Sequence, residues 1–226
     1  VASKKYYNGN SYEGEWLNGR EHGNGIYTYT IPYTYKSFLV TSFKGNWTNG
    51  FRHGVGHYTT KNNTIIEVAY KNGTLYQGDF VRVYYPDDTH YFGYMNSQGQ
   101  YHGTGELKID EFIYKGEFER NSFTGKGSIH SQDGSAIFGS FQDAKAIDIT
   151  KIYYSNGDKY FGDTRDLIAH GKGSLYLNDS SVFIGTFVNG RLQGFGEAKY
   201  SDGTSYKGEW KNGLFHGEGI RKLKGY

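Results

Sequence analysis

The sequence predicts an all-β chain: an elongated, twisted antiparallel sheet of stacked β-hairpins. Three observations carry that expectation. A motif of the form aromatic-x-Gly-x-aromatic-x-x-Gly recurs in register along the chain, and turn dipeptides separate its copies. The composition, with 34 Gly, 23 Tyr and 15 Phe against 2 Pro, is too aromatic for disorder and too glycine-rich for a helical bundle.

The strong copies read YEGEWLNG from Tyr12, FKGNWTNG from Phe43, YKGEFERN from Tyr114, FIGTFVNG from Phe183 and YKGEWKNG from Tyr206. Weaker copies begin at Ile66, Tyr91, Ile137 and Tyr160, which completes one array of nine repeats over residues 1–226. The starts at 12, 43, 66, 91, 114, 137, 160, 183 and 206 lie 31, 23, 25 and then always 23 residues apart. An insertion at 30–40, TIPYTYKSFLV, therefore interrupts the first repeat, and a two-residue insertion follows the third.

Within a repeat the first strand places aromatic, Gly and aromatic at i, i+2 and i+4, so Tyr206, Gly208 and Trp210 share one face. Lys207 and Glu209 then face the other way. The small glycine leaves room for an aromatic ring from the neighbouring strand. A second signature follows: HGNG at 22–25, HGVG at 53–56, HGTG at 102–105, TGKG at 124–127, HGKG at 170–173, QGFG at 193–196 and HGEG at 216–219. It leads into a return strand. Asn8-Gly9, Asp133-Gly134, Asn156-Gly157 and Asp202-Gly203 then supply the positive φ that a tight connection to the next repeat requires. One hairpin is marginal alone, but in a stack each covers its neighbour's aromatics, and the array becomes its own core. The insertion alternates polar and apolar residues, which predicts a longer hairpin reaching past the sheet edge toward a partner. Val68 in place of the central glycine, and AKAIDIT at 144–150 in place of the loop glycines, predict distortion in the repeats at 66 and 137.

Charge and composition exclude several function classes. A net charge of +2, with 25 basic and 23 acidic residues interspersed, gives no footprint for nucleic acid. The absence of cysteine removes disulfides, thiolate metal sites and cysteine nucleophiles, and is compatible with the cytoplasm. No apolar run reaches the roughly 20 residues of a spanning helix.

His22, His53, His102, His170 and His216 occupy one repeat position, so they form a spaced row and not a convergent ligand set. Thr124 and Gln193 stand at the same position, which assigns it to turn structure and packing. Glu13, Glu15, Glu117 and Glu209 read as a solvated face with no cleft to make them a carboxylate pair. The Gly-x-Gly steps lack the following helix of a phosphate loop. The expectation is no enzyme activity, no metal and no cofactor.

YEGEWLNGREHGNGIYTY and YKGEWKNGLFHGEGI resemble the membrane occupation and recognition nexus (MORN) repeat. That resemblance implies a single-layer meandering sheet of hairpins that acts as a scaffold for a protein partner, at a membrane-linked or cytoskeletal structure. A single layer has no second layer to hide its rings. Tyr12, Trp16, Phe43, Trp47, Tyr91, Tyr114, Phe118, Tyr160, Phe183, Phe187, Tyr206 and Trp210 are thus expected to stay partly accessible as a groove for a helix or peptide. Direct binding of anionic phospholipid is a second implication, with Lys207, Lys211, Arg221, Lys222 and Lys224 as contacts. Tyr- and Trp-rich solenoids that hold choline or sugar in aromatic cages offer a third reading. Unpaired strand edges at the ends of the sheet allow a homodimer, with IRKLKGY at 220–226 as one such edge and Lys4 and Lys5 blunting the other.

Overall fold

The computed structural model describes residues 1–76 and 78–224; Gly225 and Tyr226 of the expected edge segment lie outside the described residues. Twenty strands belong to one open antiparallel sheet, and no helix occurs among the described residues. The chain divides into two compact units: residues 1–110 with 115–122, and residues 111–114 with 123–226.

In the N-terminal unit, β1 (Ala2–Lys5) lies against β2 (Ser11–Leu17), which pairs with β3 (Arg20–Tyr35). The meander continues through β4 (Phe38–Thr48), β5 (Phe51–Thr60) and β6 (Ile65–Lys71). Here the return strand is split. A two-residue β7 (Thr74–Leu75) pairs with the end of β6, and β8 (Phe80–Tyr84) pairs with its beginning. Val68 fills the position of the missing glycine and is fully buried beside Val81 and Val83, so aliphatic packing replaces the glycine step in this hairpin. β9 (His90–Met95) and β10 (Tyr101–Ile109) complete the regular pattern.

The next strands are β11 (Phe112–Glu119) and β12 (Ser122–Ser131), followed by β13 (Ala136–Gln142) and β14 (Lys145–Tyr153). β14 keeps its pairing with β13 despite the absent loop glycines, at the cost of two register irregularities. Then come β15 (Lys159–Arg165), β16 (Ile168–Tyr176), β17 (Val182–Val188), β18 (Arg191–Lys199), β19 (Ser205–Lys211) and β20 (Leu214–Lys222), each paired with the next.

Register explains the glycines. Gly14, Gly25, Gly45 and Gly56 sit opposite one another across four strands, and Gly162, Gly173, Gly185, Gly196, Gly208 and Gly219 across six. Between Gly14 and Glu15 the partner jumps from Gly25 to His22, leaving residues 23–24 as a bulge. The same jump occurs at Gly45/Asn46, Gly185/Thr186 and Gly208/Glu209. Each bulge turns on the first glycine of the HGxG step, with φ of 56° at Gly23, 70° at Gly54, 74° at Gly194 and 54° at Gly217.

The insertion departs from its expectation. β3 and β4 do form a longer hairpin, closed by Lys36 at φ 51°, but the register shift between Thr28 and Tyr33 bends it back over the sheet. Tyr35 is buried against Tyr58, 5.2 Å between ring centroids, and Tyr33 lies 6.1 Å from the same ring. At the tip Lys36 Nζ reaches Asp79 Oδ1 at 3.0 Å and donates to the Met95 carbonyl at 2.7 Å, its side chain only 9% exposed. The hairpin therefore covers its own array instead of reaching outward.

Candidate functional site

The aromatic face is built from the glycine row. A Cβ at Gly25 would overlap the Tyr12 ring, and one at Gly173 or Gly219 would overlap Tyr160 or Tyr206. Thus Tyr12, Tyr160 and Tyr206 each lie over the glycine pair of their own hairpin and reach across to the glycine of the return strand. The hydroxyl then reaches the carbonyls that the bulge leaves free. Tyr12 Oη donates to Glu15 O at 3.1 Å, Tyr91 to Tyr94 O at 2.6 Å, Tyr160 to Asp163 O at 2.7 Å and Tyr206 to Glu209 O at 3.1 Å. Burial, reinforced by the nearby carboxylates, raises the Tyr12 and Tyr160 hydroxyls to about 12.

Successive repeats interlock edge to face. The first ring of one repeat meets the second ring of the next in the pairs Tyr12–Trp47 (5.2 Å), Phe43–Tyr70 (5.7 Å), Tyr91–Phe118 (5.3 Å), Tyr114–Phe141 (5.2 Å) and Tyr160–Phe187 (5.3 Å). This interlock hides most of the expected groove. Tyr12, Phe43, Tyr91 and Tyr160 are fully buried, Tyr114, Phe118, Phe187 and Trp210 nearly so, and Trp47 and Tyr206 are 7% exposed. Only Trp16 and Phe183 of that set are half-buried. Most of the row is closed because its first rings lie over their own hairpin's glycines and against a ring of the next repeat.

Several polar residues of the motif also serve the fold, although the buried Nδ1 atoms of His22 and His170 have no partner among the described residues. Glu15 Oε1 accepts the bulge amide of Asn24 at 2.8 Å, and Asp163 Oδ2 accepts that of Lys172 at 3.1 Å. Glu15 therefore locks a bulge, a role its alternation in the strand did not reveal, whereas Glu13 stays exposed. At the histidine position, His53 Nδ1 accepts the amide of Asn72 at 3.4 Å, and Gln193 Oε1 that of Asn212 at 3.0 Å. Both bonds tie one hairpin to the turn of the next, which explains why Gln can replace His. Gly73 and Gly213 of the same turns donate to the carbonyls of Arg52 and Leu192, at 2.8 and 2.9 Å. No cluster of three or more metal-ligating side chains occurs among the described residues.

The richest aromatic cage among the described residues surrounds Arg52, and the chain itself fills it. The Arg52 guanidinium lies 4.5 Å from the Phe43 ring centroid and within 5.8 Å of Tyr27, Tyr29, Trp47, Tyr58 and Tyr70. It donates to Tyr58 Oη at 3.1 Å and to Tyr29 Oη. The place a choline headgroup would take in this cage holds an internal cation.

The basic residues of the last hairpin divide between faces. Lys207 pairs in register with Ile220 and Ser205 with Lys222, whereas Arg221 is opposite Tyr206 and so shares the aromatic face. Lys199, Lys207 and Lys222 border an open cleft of about 600 Å³ floored by Val182, Ile184 and Ile220. Lys207 is ion-paired to Glu197; Lys211 and Lys224 are exposed. No helix among the described residues is long and apolar enough to cross a membrane.

A sheet of glycine-rowed hairpins, most of them locked to the next by a ring or a turn, is a repeat array. The MORN repeat model matches residues 12–31, 43–65, 114–136, 183–205 and 206–224, and the chain belongs to the MORN-repeat proteins. No curated protein matches it in sequence. Among solved structures it is similar to the TCP10c domain of Drosophila melanogaster Sas-4 (9% identity, 70% of this chain and 93% of that one, TM-score 0.42). It is also similar to the TCP10 domain of Danio rerio CPAP solved with a STIL peptide (13%, 92% and 93%, TM-score 0.33).

Proposed function

We propose that this array is a non-catalytic scaffold that binds a protein partner as an extended segment lying on its aromatic face, in a membrane-linked or cytoskeletal setting. The observation that carries the reading is the insertion hairpin. It seats Tyr33 and Tyr35 on Tyr58 and hands Lys36 to backbone carbonyls, so the face accepts an extended polypeptide with aromatic anchors. The test is peptide selection against the intact chain, followed by photocrosslinking from Leu175 on the aromatic face and Lys172 on the polar face. Crosslinks from Leu175 are expected. Crosslinks confined to Lys172 defeat the assignment of the face, and failure to enrich any peptide defeats the scaffold reading.

A second reading, attachment to anionic lipid, is favoured by the cleft that sets Lys199, Lys207 and Lys222 around an apolar floor. At about 1 kcal/mol per basic residue near the surface, binding is weak and salt-sensitive. Co-sedimentation with phosphatidylserine vesicles at low salt, reduced by Lys207→Glu and Lys222→Glu, is the expected result. Equal sedimentation with neutral vesicles removes this reading.

A further inference from the structure

The face opposite the aromatic rows is not polar throughout. The second residue of each repeat points to it, and Glu67, Lys115 and Lys207 form cross-strand ion pairs there with Arg82, Glu106 and Glu197. Three consecutive repeats of the C-terminal unit instead carry Phe138, Phe161 and Ile184 at that place. Cross-strand register puts Lys151 between Phe138 and Phe161, and one row over it puts Lys159 between Tyr153 and Tyr176. Apolar side chains therefore alternate between two adjacent rows, one per strand from β13 to β17, in the order Phe138, Tyr153, Phe161, Tyr176, Ile184. The rings touch in that order, with centroids 5.1, 6.2 and 5.6 Å apart. Tyr176 is 41% and Ile184 47% exposed, and the other three are half-buried.

Two cations lie among these rings. Lys151 Nζ is 5.1 Å from the Phe138 centroid and 5.5 Å from that of Phe161, and Lys159 Nζ is 5.6 Å from that of Tyr153. Neither ammonium joins an ion pair among the described residues. An exposed apolar strip edged by unpaired cations suits an apolar partner flanked by carboxylates. Its spacing selects the kind of partner. Each step along the strip is one strand, about 4.8 Å, and each step changes row. A helix with apolar residues at alternating intervals of three and four advances about 5.3 Å per step and zigzags between two lines in the same way. An extended segment presents one line of side chains at about 6.8 Å per step, which matches neither feature. The rings also meet at 58 to 89°, so the strip offers no run of parallel ring faces to the bases of a nucleic acid. We propose that this strip binds an amphipathic helix lying across β13 to β17, with apolar residues at the a and d positions of a heptad and acidic residues beside them that meet Lys151 and Lys159. It lies on the opposite face from the extended segment of the scaffold reading, and does not depend on that reading.

The experiment uses the full chain and a fluorescent, lactam-held helix of three heptads, with Leu at a and d, Glu at e and g, and Ala or Gln elsewhere. Anisotropy is expected to show saturable binding. Reordering the same residues to spread Leu around the helix, or replacing Glu by Lys, should weaken it about tenfold or more. Phe161→Glu and Ile184→Glu should each do the same. Ile184 stands outside the ring contacts, so its variant decides the matter if Phe161→Glu melts early. Lys44→Glu, at the same place in a repeat of the N-terminal unit, should leave binding unchanged. A photocrosslinker at Lys172 should capture the helix, and one at Leu175 should not. No saturable binding, equal binding of the reordered helix, or capture from Leu175 alone overturns the proposal. So does binding of oligouridine or of phosphatidylserine vesicles, abolished by Ile184→Glu, in the absence of helix binding. Each of these outcomes leaves the extended segment on the aromatic face to its own test.

Discussion

Tyr12 and Tyr160 are fully buried, and each gives its hydroxyl to a carbonyl that the neighbouring bulge leaves without a strand partner. A ring and a hydrogen bond thereby seal a sheet that has no covering layer at these points. Tyr160→Phe keeps the ring and strands the Asp163 carbonyl, so it should cost about 1 kcal/mol at neutral pH in a denaturant titration. Tyr160→Ala also removes the ring from above Gly162 and Gly173 and should cost about 3 to 5 kcal/mol. The pH dependence follows from the raised hydroxyls. Their folded value near 12 lies above the ordinary 10, so the stabilisation is complete below pH 10 and is lost as pH rises through 12. Alkaline unfolding followed by circular dichroism should therefore fall in that window, and the deficit of Tyr160→Phe should shrink across it. A deficit constant from pH 8 to 12 would show that this hydroxyl does not carry the linkage. The motif's spacing revealed that these tyrosines matter, but not why. The register jump at the bulge, which frees the carbonyls, is invisible in a pattern of strand alternation.

Two-residue turns at the far end of each hairpin need positive φ at both positions. Asn18-Gly19, Asn49-Gly50 and Asn212-Gly213 meet that need with φ values of 52° and 75°, 53° and 87°, and 53° and 79°. Leu167 holds the same place at φ 61°, and Ala144 does so at 61°. A left-handed leucine costs on the order of 1 kcal/mol, so Leu167→Gly should raise the thermal midpoint by a few degrees. The asparagine–glycine turns were legible as sequence, and so were the substitutions at 144–150, yet the β13–β14 hairpin persists because pairing along seven residues of β13 outweighs one strained turn. The insertion was legible as a hairpin but not in its direction. That depends on the shift between Thr28 and Tyr33 and on Lys36 finding Asp79 and the Met95 carbonyl more than 40 residues away. Lys36→Met removes the ion pair and takes the lysine donor away from the Met95 carbonyl. Hydrogen exchange should then accelerate at residues 29–41 while β15 to β19 stay protected; unchanged protection at 29–41 would show that the ring contacts alone hold the hairpin down.

Across the molecule the sequence repeat predicted the glycine rows and the sharing of aromatics between neighbours. It did not predict how little aromatic surface remains once neighbours interlock, because burial depends on pairs such as Tyr160 and Phe187 that lie 27 residues apart. Apolar exposure instead runs along β20, where every residue is exposed, Leu214 at 72% and Ile220 at 68%. One side of β20 pairs with β19, and no partner strand lies on its other side among the described residues. Antiparallel pairing of two β20 strands from separate copies would set Leu214 opposite Lys222 and keep the basic ends apart, but it would place Glu218 opposite Glu218 of the second copy at the centre. Like charges directly opposed weaken such a pair. Self-association should accordingly be weak in dilute buffer, strengthen with added salt or with Glu218→Gln, and disappear in Ile220→Lys. Attachment of the Lys199, Lys207 and Lys222 face to anionic vesicles has the opposite salt dependence, since screening removes an attraction there and a repulsion here. Light scattering across a salt series separates the two: a mass that falls with salt, or that ignores Glu218→Gln, rules out pairing through this edge.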